Sequence, residues 1–416
     1  MVTSQTVTTT PPERPNASLL PVFLIVLVDV FGMTLVIPLL AIYAETFHAT
    51  PLQATLLITV FAACQLVSGP LIGHASDRVG RKPMLIMSQI GTFIGFIVLA
   101  RANALWMIYL SRIIDGATAG NLSLAQAYIA DNTAPENRAR SFGLIGIAFG
   151  LGFFIGPSLT GFLSDRYGLT APIYLASVMS ATSILATATL LRGGRSHAPV
   201  STDRWAAFRV NTYSRYFARP ELRSRLLQFL FFMLSFSMFI SGFALFAERR
   251  FTYQGHPFGP REIGYVFGFV GLLGIILQGA LIGRLVKKFG EAPLVIAGFA
   301  SVVIGYAMLG FVTSTILLLL TAVISGFGNG VLRPALTSLI THQAERHEQG
   351  VVLGISQALT SIASILAPVI AGVLIQHSLL REWAWLSGAM ALVGWVLATT
   401  GGHRESPGLR ARVAEA

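Results

Sequence analysis

At 416 residues, 54% hydrophobic and 11% charged, with a mean hydropathy of +0.69, the chain is far more apolar than a soluble protein, in which about 25% of residues are charged. A soluble globular protein is excluded. The net charge of +11 therefore reflects where loops lie about a membrane rather than nucleic-acid binding.

In chain order, residues 1–18 are polar and rich in Thr and Pro, without the charged start and cleavage site of a signal peptide, and read as a disordered cytoplasmic tail. Twelve apolar segments follow, at 19–44, 52–74, 84–101, 104–130, 141–163, 172–191, 225–247, 262–283, 292–312, 314–340, 351–376 and 383–400. Each is near the ~20 residues a helix needs to cross a bilayer. The one cysteine, Cys64, lies inside the second segment, so an intrachain disulfide and a thiolate metal cluster are both excluded, and a small packing residue remains. The longest polar stretch, 192–222, carries Arg192, Arg195, Arg204, Arg209, Arg215 and Arg219 against two acids, Asp203 and Glu221. Trp205, Phe208, Tyr213, Tyr216 and Phe217 interleave with these arginines, which fits either a helix lying in the cytoplasmic interface or a loose linker. Residues 401–416 form a second cytoplasmic tail. With both termini inside, the outer loops hold only Arg101, Arg166, Arg249, Arg250, Arg261 and Arg381 of the 29 Lys and Arg, and this asymmetry orients the chain.

An internal repeat divides the chain. Gly73, Gly80 and Pro83 recur 210 positions on as Gly283, Gly290 and Pro293, and Gly143, Pro157 and Gly161 recur 211 positions on as Gly354, Pro368 and Gly372. The predicted fold is an all-α membrane protein of twelve transmembrane helices in two pseudo-symmetric six-helix bundles, 19–191 and 223–400, with the linker 192–222 between them.

The most charged loop joins the second and third segments. It reads Gly73-His74-Ala75-Ser76-Asp77-Arg78-Val79-Gly80-Arg81-Lys82, and its Arg78, Arg81 and Lys82 place it on the cytoplasmic side. This pattern resembles the signature loop of the major facilitator superfamily, matched by Gly73, Asp77, Arg78, Gly80, Arg81 and Lys82. The resemblance implies a loop that latches the two halves of a transporter in its outward-open state. Asp77 ends a helix where it can meet the positive N-terminus of a helix from the other half, and Arg81 can reach an acid at a neighbouring helix end, for which Asp131 is the candidate. In the second half the loop is degraded, with Lys287 and Lys288 where Asp77 and Arg78 stand in the first. In this family two repeats enclose a substrate site at mid-depth.

The fifth segment contains Gly152, Gly156, Pro157 and Gly161. Small residues at helical spacing let a second backbone approach closely in lipid. Their order resembles the motif of the antiporter branch of the superfamily, with Thr160 in place of one glycine.

Charges within the bilayer cost roughly 2.5 to 3.5 kcal/mol each on insertion scales, so each is a functional candidate. There are four: Asp29, Arg112, Asp115 and Arg333. The first segment around Asp29, from Val28 to Pro38, resembles that of the tetracycline/proton antiporters. Carboxylates withdrawn from water hold their protons nearer neutral pH, as a proton carrier requires; a water-exposed gate acid near the cytoplasmic end is the other reading. Arg112 and Asp115 are three apart, share a helix face and can pair. The family's fourth-helix motif, resembled by Ser111 to Gly120, implicates the arginine in proton coupling, and Asp115 is not a fixed part of it. Either a proton at Asp115 frees Arg112, or the two form a permanent structural pair. Arg333 has no acid on its own helix and needs a counter-charge from elsewhere, such as an anionic substrate, unless it snorkels to a helix end. Gln65, Asn121, Gln126, Tyr128, Gln278, Asn329 and Gln357 together suggest a wet cavity, and Phe153, Phe154, Phe267, Phe269 and Phe327 face either lipid or substrate.

The resemblance to the tetracycline-efflux type extends through Ala127 to Asp131, Glu136 to Gly143, Leu359 to Ser364 and Trp383 to Trp385. It departs where those antiporters carry carboxylates in the third and ninth helices, since the matching positions here are Gly95 and Val302. No phosphate-binding glycine loop with its lysine and no metal-ligand pair at helical spacing appears, so the chain reads as neither an enzyme nor an ATP-driven pump.

The expectation is a proton-coupled antiporter in a bacterial inner membrane, exporting amphiphilic small molecules by rocking two bundles. It would need no cofactor or metal and no nucleic acid, have protons, a small molecule and the bilayer as partners, and work as a monomer. Asp29, Arg112 and Asp115 would carry the proton, facing a watery chamber between the bundles. Uptake of an organic anion or sugar on the same fold is the alternative, and a non-transporting receptor is a third reading.

Overall fold

The computed structural model describes residues 20–132, 138–191, 210–344 and 348–401. The tails at 1–18 and beyond 401, and the first part of the linker, 192–209, lie outside them. The first half holds α1 (Leu20–Glu45), α2 (Pro51–Val79), α3 (Arg81–Ala100), α4 (Leu105–Ala117), α5 (Asn121–Asn132), α6 (Arg138–Tyr167) and α7 (Ala171–Leu190). After α8 (Val210–Phe217), the second half holds α9 (Pro220–Arg250), α10 (Pro260–Ile276), α11 (Ile282–Phe289), α12 (Glu291–Leu309), α13 (Thr315–His342), α14 (Gln349–Gln376) and α15 (Leu380–Gly401). A π-helical turn, Leu277–Leu281, joins α10 to α11 in one rod, and a two-residue hairpin, Thr252–Tyr253 with His256–Pro257, links α9 to α10.

Eleven of these helical runs are long and apolar enough to cross a membrane, and α4 with α5 supplies the twelfth crossing as a broken helix. The break at Thr118 to Gly120 frees backbone groups that lipid cannot satisfy. Ser88 on α3 satisfies them, its hydroxyl donating to the Thr118 carbonyl and accepting from the Gly120 amide at 2.9 Å. Bulky apolar side chains such as Leu185, Trp106 and Ile316 stay exposed around the molecule, as a surface bathed in lipid requires.

The charged loop is shorter than its sequence suggests. The second helix continues to Val79 and the third begins at Arg81, leaving Gly80 alone as the connection, with φ of 109°. Gly290 repeats this at φ of 79° between α11 and α12. Only glycine takes that left-handed backbone at little cost, so the repeated glycines mark repeated corners. The charges consequently sit on the last turn of α2 and the first of α3. We call the face carrying Gly80 and Gly290 the corner face, and the opposite one the far face.

The core organisation gives the shape. At the far face one apolar cluster runs through both halves, from Leu35, Leu57 and Leu99 to Phe243, Ile263 and Trp383. Toward the corner face it divides in two: Val22, Ile25 and Leu124 belong to a first-half cluster, and Leu226, Val295 and Leu336 to a second-half one. The halves meet through α6 against α10 and α2 against α14. A Cβ added at Gly161 on α6 would lie 2.9 Å from the Arg261 Cα, and one at Gly372 on α14 would lie 2.8 Å from the Leu52 Cα. These two glycines are repeat equivalents, so the two seams are related by the pseudo-two-fold axis. Further along, Gly69 and Gly73 on α2, Gly279 and Gly283 beyond α10, and Gly354 on α14 have no neighbour within 4 Å of an added Cβ. The halves thus form a V, closed at the far face and open at the corner face.

Gly161→Val and Gly372→Val should each pry the closed end apart, weakening it by roughly 1–3 kcal/mol through overpacking. A cysteine at Thr55, in a chain lacking Cys64, should then react faster with a water-soluble maleimide than it does with Gly372 intact.

Candidate functional site

Two regions at mid-depth carry chemistry, one in each half. In the first half, α1, α3, α4 and α7 bring polar groups together. The Arg112 Nη1 meets Asp115 Oδ2 at 3.2 Å, both residues are buried, and the Arg112 Nη2 has no hydrogen-bond partner. Thr92 on α3 approaches the Asp115 carboxylate. Asp29, half-buried on α1, has Ser183 of α7 and Gln89 of α3 within hydrogen-bonding reach, and interacts electrostatically with Asp115. Gln89 Nε2 donates to Ser183 Oγ at 2.7 Å, which leaves the buried Gln89 Oε1 without a partner. The three charges expected to face a chamber between the halves thus lie instead within the first bundle, where α3 and α7 close around them.

Gly95, where the tetracycline-efflux resemblance places a third-helix carboxylate, lies directly against Asp115: an added Cβ would be 3.2 Å from the Asp115 Cβ. The fourth helix fills that space. Val302, the other such position, is fully buried in the second-half core.

In the second half, α9, α10, α12 and α13 border a cleft of about 420 Å³, its open mouth included, lined by Phe239, Phe243, Phe267, Tyr306, Ser325 and Asn329, with small and aliphatic residues between them. Phe239 and Tyr306 stack at 4.9 Å, and Asn329 Nδ2 donates to the Tyr306 hydroxyl at 3.1 Å, leaving Asn329 Oδ1 buried and unpartnered. Phe267 also lines a smaller pocket of about 190 Å³ between the halves, with Thr34, Pro38, Phe153 and Ile240. Arg333 is exposed although protein surrounds it closely, as expected of a side chain facing a cleft, and it pairs with no acid among the described residues.

Of the other cavity candidates, Gln65 and Asn121 are half-buried while Gln126, Gln278 and Gln357 are exposed; none of the five forms a side-chain hydrogen bond among the described residues, and the Asn121 Oδ1 is buried and unsatisfied. Tyr128 is buried in the first-half core. Phe154 packs beneath Gly271, and Phe327 packs on the second-half core. Phe239, Phe243 and Tyr306 were not singled out from sequence, because a phenylalanine in an apolar run carries no mark of which face it takes. Gln89, a lone amide in an apolar helix, was the available signal for the first-half cluster.

The corner-face residues are only partly as expected. Arg81 Nε meets Asp131 at 3.0 Å, and Lys82 donates to the Ala188 and Leu191 carbonyls at the end of α7, at 2.7 and 2.8 Å. Asp77, expected to reach a helix of the other half, pairs at 2.7 Å with Arg81 of its own half. Among the described residues Asp77 has no ion pair with the second half; Arg78 beside it is exposed, and a Cβ added at Gly73 would meet nothing within 4 Å. At shifts of 210 and 211, Arg81 and Asp131 correspond to Glu291 and His342, which meet at 3.6 Å: the second half keeps the contact with the acid now on the corner helix, and it is an ion pair only when His342 carries a proton. At the far face two pairs cross between the halves, Glu45 with Arg249 at 2.5 Å and Asp165 with Arg261 at 3.3 Å. In the antiporter motif, Gly152 and Gly156 seat α6 on Val30 and Thr34 of α1, while Pro157 and Gly161 seat it on α10.

Comparison with known proteins agrees with this architecture. The family model described as Major Facilitator Superfamily matches residues 22–315 and 258–414. The chain belongs to the major facilitator superfamily. Among its relatives in the superfamily, the class B tetracycline resistance protein of Escherichia coli is 29% identical over 384 residues, covering 90% of this chain and 92% of that protein. Multidrug resistance protein 2 of Bacillus subtilis (strain 168) is 28% identical over 366 residues, covering 85% and 88%. The crystal structure of the human organic anion transporter MFSD10 (TETRAN) superposes with a TM-score of 0.72 at 23% identity, covering 94% of this chain and all of that one. This superfamily member is a multi-pass integral membrane protein.

Removing one partner of a buried ion pair strands the other charge, at about 3–5 kcal/mol. Arg112→Ala should therefore lower the unfolding temperature in detergent more than Arg112→Ala with Asp115→Ala together. In the double-mutant cycle, a loss in the double variant equal to the sum of the two single losses would mean that the two side chains do not interact.

Proposed function

We propose that this superfamily member is a proton-coupled exporter of amphiphilic small molecules that works by alternating access, in a bacterial inner membrane with both termini cytoplasmic. The observation that carries the reading is the V: two repeat-related bundles joined along seams at one end and parted at the other, with pockets at mid-depth. The corner face is then cytoplasmic, since it bears Arg78, Arg81, Lys82, Lys287 and Lys288, and this conformation is open inward. Outward opening must break Glu45–Arg249 and Asp165–Arg261 and bring the α2 corner against α14, where Asp77 can meet a helix N-terminus. The two gates thus exchange one set of ionic contacts for another, so neither state is stranded in a deep minimum.

Proton handling is assigned to the first-half cluster. A protonated Asp29 would donate to Gln89 Oε1, the acceptor left open beside it, and neutralisation of Asp115 would release Arg112. Relatives named for tetracycline and multidrug resistance support export of amphiphiles. Uptake or facilitated movement of an organic anion is the second reading, favoured by Arg333, which has no acid beside it among the described residues, and by the likeness to the human organic anion transporter.

In proteoliposomes, Asp29→Asn and Asp115→Asn, made singly, should abolish pH-gradient-driven transport of an amphiphilic dye in at least one case while each protein still folds. Full gradient-driven transport in both would sink proton coupling through these acids, and counterflow indifferent to pH would favour the uniporter. Asp77→Asn should raise labelling of a corner-face cysteine on α2 by favouring the inward-open form, and unchanged labelling would count against the latch.

A further inference from the structure

We propose that the second-half pocket binds planar aromatic molecules bearing an anionic group, with the ring held among Phe239, Phe243, Phe267 and Tyr306, a donor of the ligand on Asn329 Oδ1, and the anion on Arg333. The inference rests on the transporter reading above and names the substrate class of its central site.

The repeat reveals the site. Shifted by 210, Gly32 becomes Gly242, Gly95 becomes Gly305, and Gly116 and Gly120 become Gly326 and Gly330. The same shift carries Asp29 to Phe239, Phe96 to Tyr306, Arg112 to Ala322 and Asp115 to Ser325. All four of the latter positions line the second-half pocket. Equivalent space in the two bundles is therefore used in opposite ways: the first bundle fills it with ionisable side chains, and the second leaves it open and lined with rings.

Ligand chemistry follows from what the lining lacks. The stacked Phe239 and Tyr306 and the nearby Phe243 and Phe267 offer ring faces and edges, which favour another aromatic system. No carboxylate lines the pocket, so a cation finds no counter-charge. Asn329 Oδ1 is an acceptor without a donor, and a buried polar atom so placed costs free energy until a ligand satisfies it. Ala322, Gly326, Asn329 and Arg333 fall at spacings of three or four on α13, hence on one helical face. Arg333 stands one turn past Asn329, about 6 Å toward the corner opening, and is the one cation on that face. In the second half the described acids, Glu221, Glu248, Glu262, Glu291, Glu348 and Glu382, all lie at helix ends, while Arg112 and Asp115 satisfy each other. Among the described residues Arg333 is thus uncompensated, and an anionic ligand arriving through the opening supplies what it lacks.

The test measures binding to the full-length protein in nanodiscs, with no gradient, for three probes that all carry a hydroxyl donor for Asn329 Oδ1: 6-hydroxy-2-naphthoate, neutral 6-hydroxy-2-naphthamide and the 6-hydroxy-2-naphthyl trimethylammonium cation. Naphthoate should bind about tenfold or more tightly than the amide, and the cation most weakly. Arg333→Gln should erase the gap between naphthoate and amide, and an unaltered thermal unfolding temperature in nanodiscs shows that the variant is folded. Asn329→Asp, which places a carboxylate one turn from Arg333, should pair with it and likewise erase the preference for naphthoate. Equal binding of the three probes by the unaltered protein, or a gap that survives Arg333→Gln, overturns the proposal, and the unaltered protein decides alone should neither variant fold. Naphthoate preference without gradient-driven export of any amphiphile would sink the exporter reading and leave this one standing. Gradient-driven export without that preference would do the reverse.

Discussion

Lipid tails are as apolar as leucine, so bringing two membrane helices together gains little from the hydrophobic effect, and the contact must rest on close packing and a few polar bonds. The halves of this protein obey that constraint at two seams. Gly161 beside Arg261 and Gly372 beside Leu52 let backbones touch at the far face, where Glu45–Arg249 and Asp165–Arg261 also cross. Elsewhere each half keeps its own core, which lets one turn against the other without exposing either interior. Because the cross-half ion pairs are partly or largely exposed, each contributes on the order of 1 kcal/mol or less, a suitable scale for contacts that break in every cycle.

The buried charges follow a different rule. A charge withdrawn from water must be paired or neutralised, and the first bundle pairs Arg112 with Asp115 on one helix, next to a break whose backbone is held by Ser88. Such discontinuous helices are where membrane proteins place ion-handling groups. Among the described residues the second bundle has no charge at the equivalent depth, where Ala322 and Ser325 stand; Arg333 lies about two turns further toward the opening, where water reaches it. Pseudo-symmetry of the backbone thus coexists with asymmetry of function, since each bundle fills an equivalent space with different side chains.

The same asymmetry appears at the corner face. Arg81–Asp131 is carried into the second half as Glu291–His342, with the acid moved to the corner helix, although Asp77 and Arg78 are replaced by lysines. What the duplication preserves is the brace between a corner and the end of a neighbouring helix. What it discards is the acid free to reach across to the other half.

The fold was largely legible in the chain itself. Apolar runs of bilayer length, the recurring Gly80 and Gly290, the basic corners and the repeat of Pro157 as Pro368 determine twelve crossings in two related bundles, because lipid permits few alternatives to a helix and the repeat fixes the pairing of halves. The pairing of Arg112 with Asp115 and of Arg81 with Asp131 followed from helix spacing and loop position. Only the tertiary structure decided that Asp29 turns toward Gln89 and Ser183, that Asp115 occupies the space beside Gly95, that Asp77 is paired within its own half, and that Phe239 and Tyr306 line a pocket. The reason is that in an apolar helix every face looks alike in sequence, and which face meets lipid, a neighbour or open space is set by helices distant along the chain.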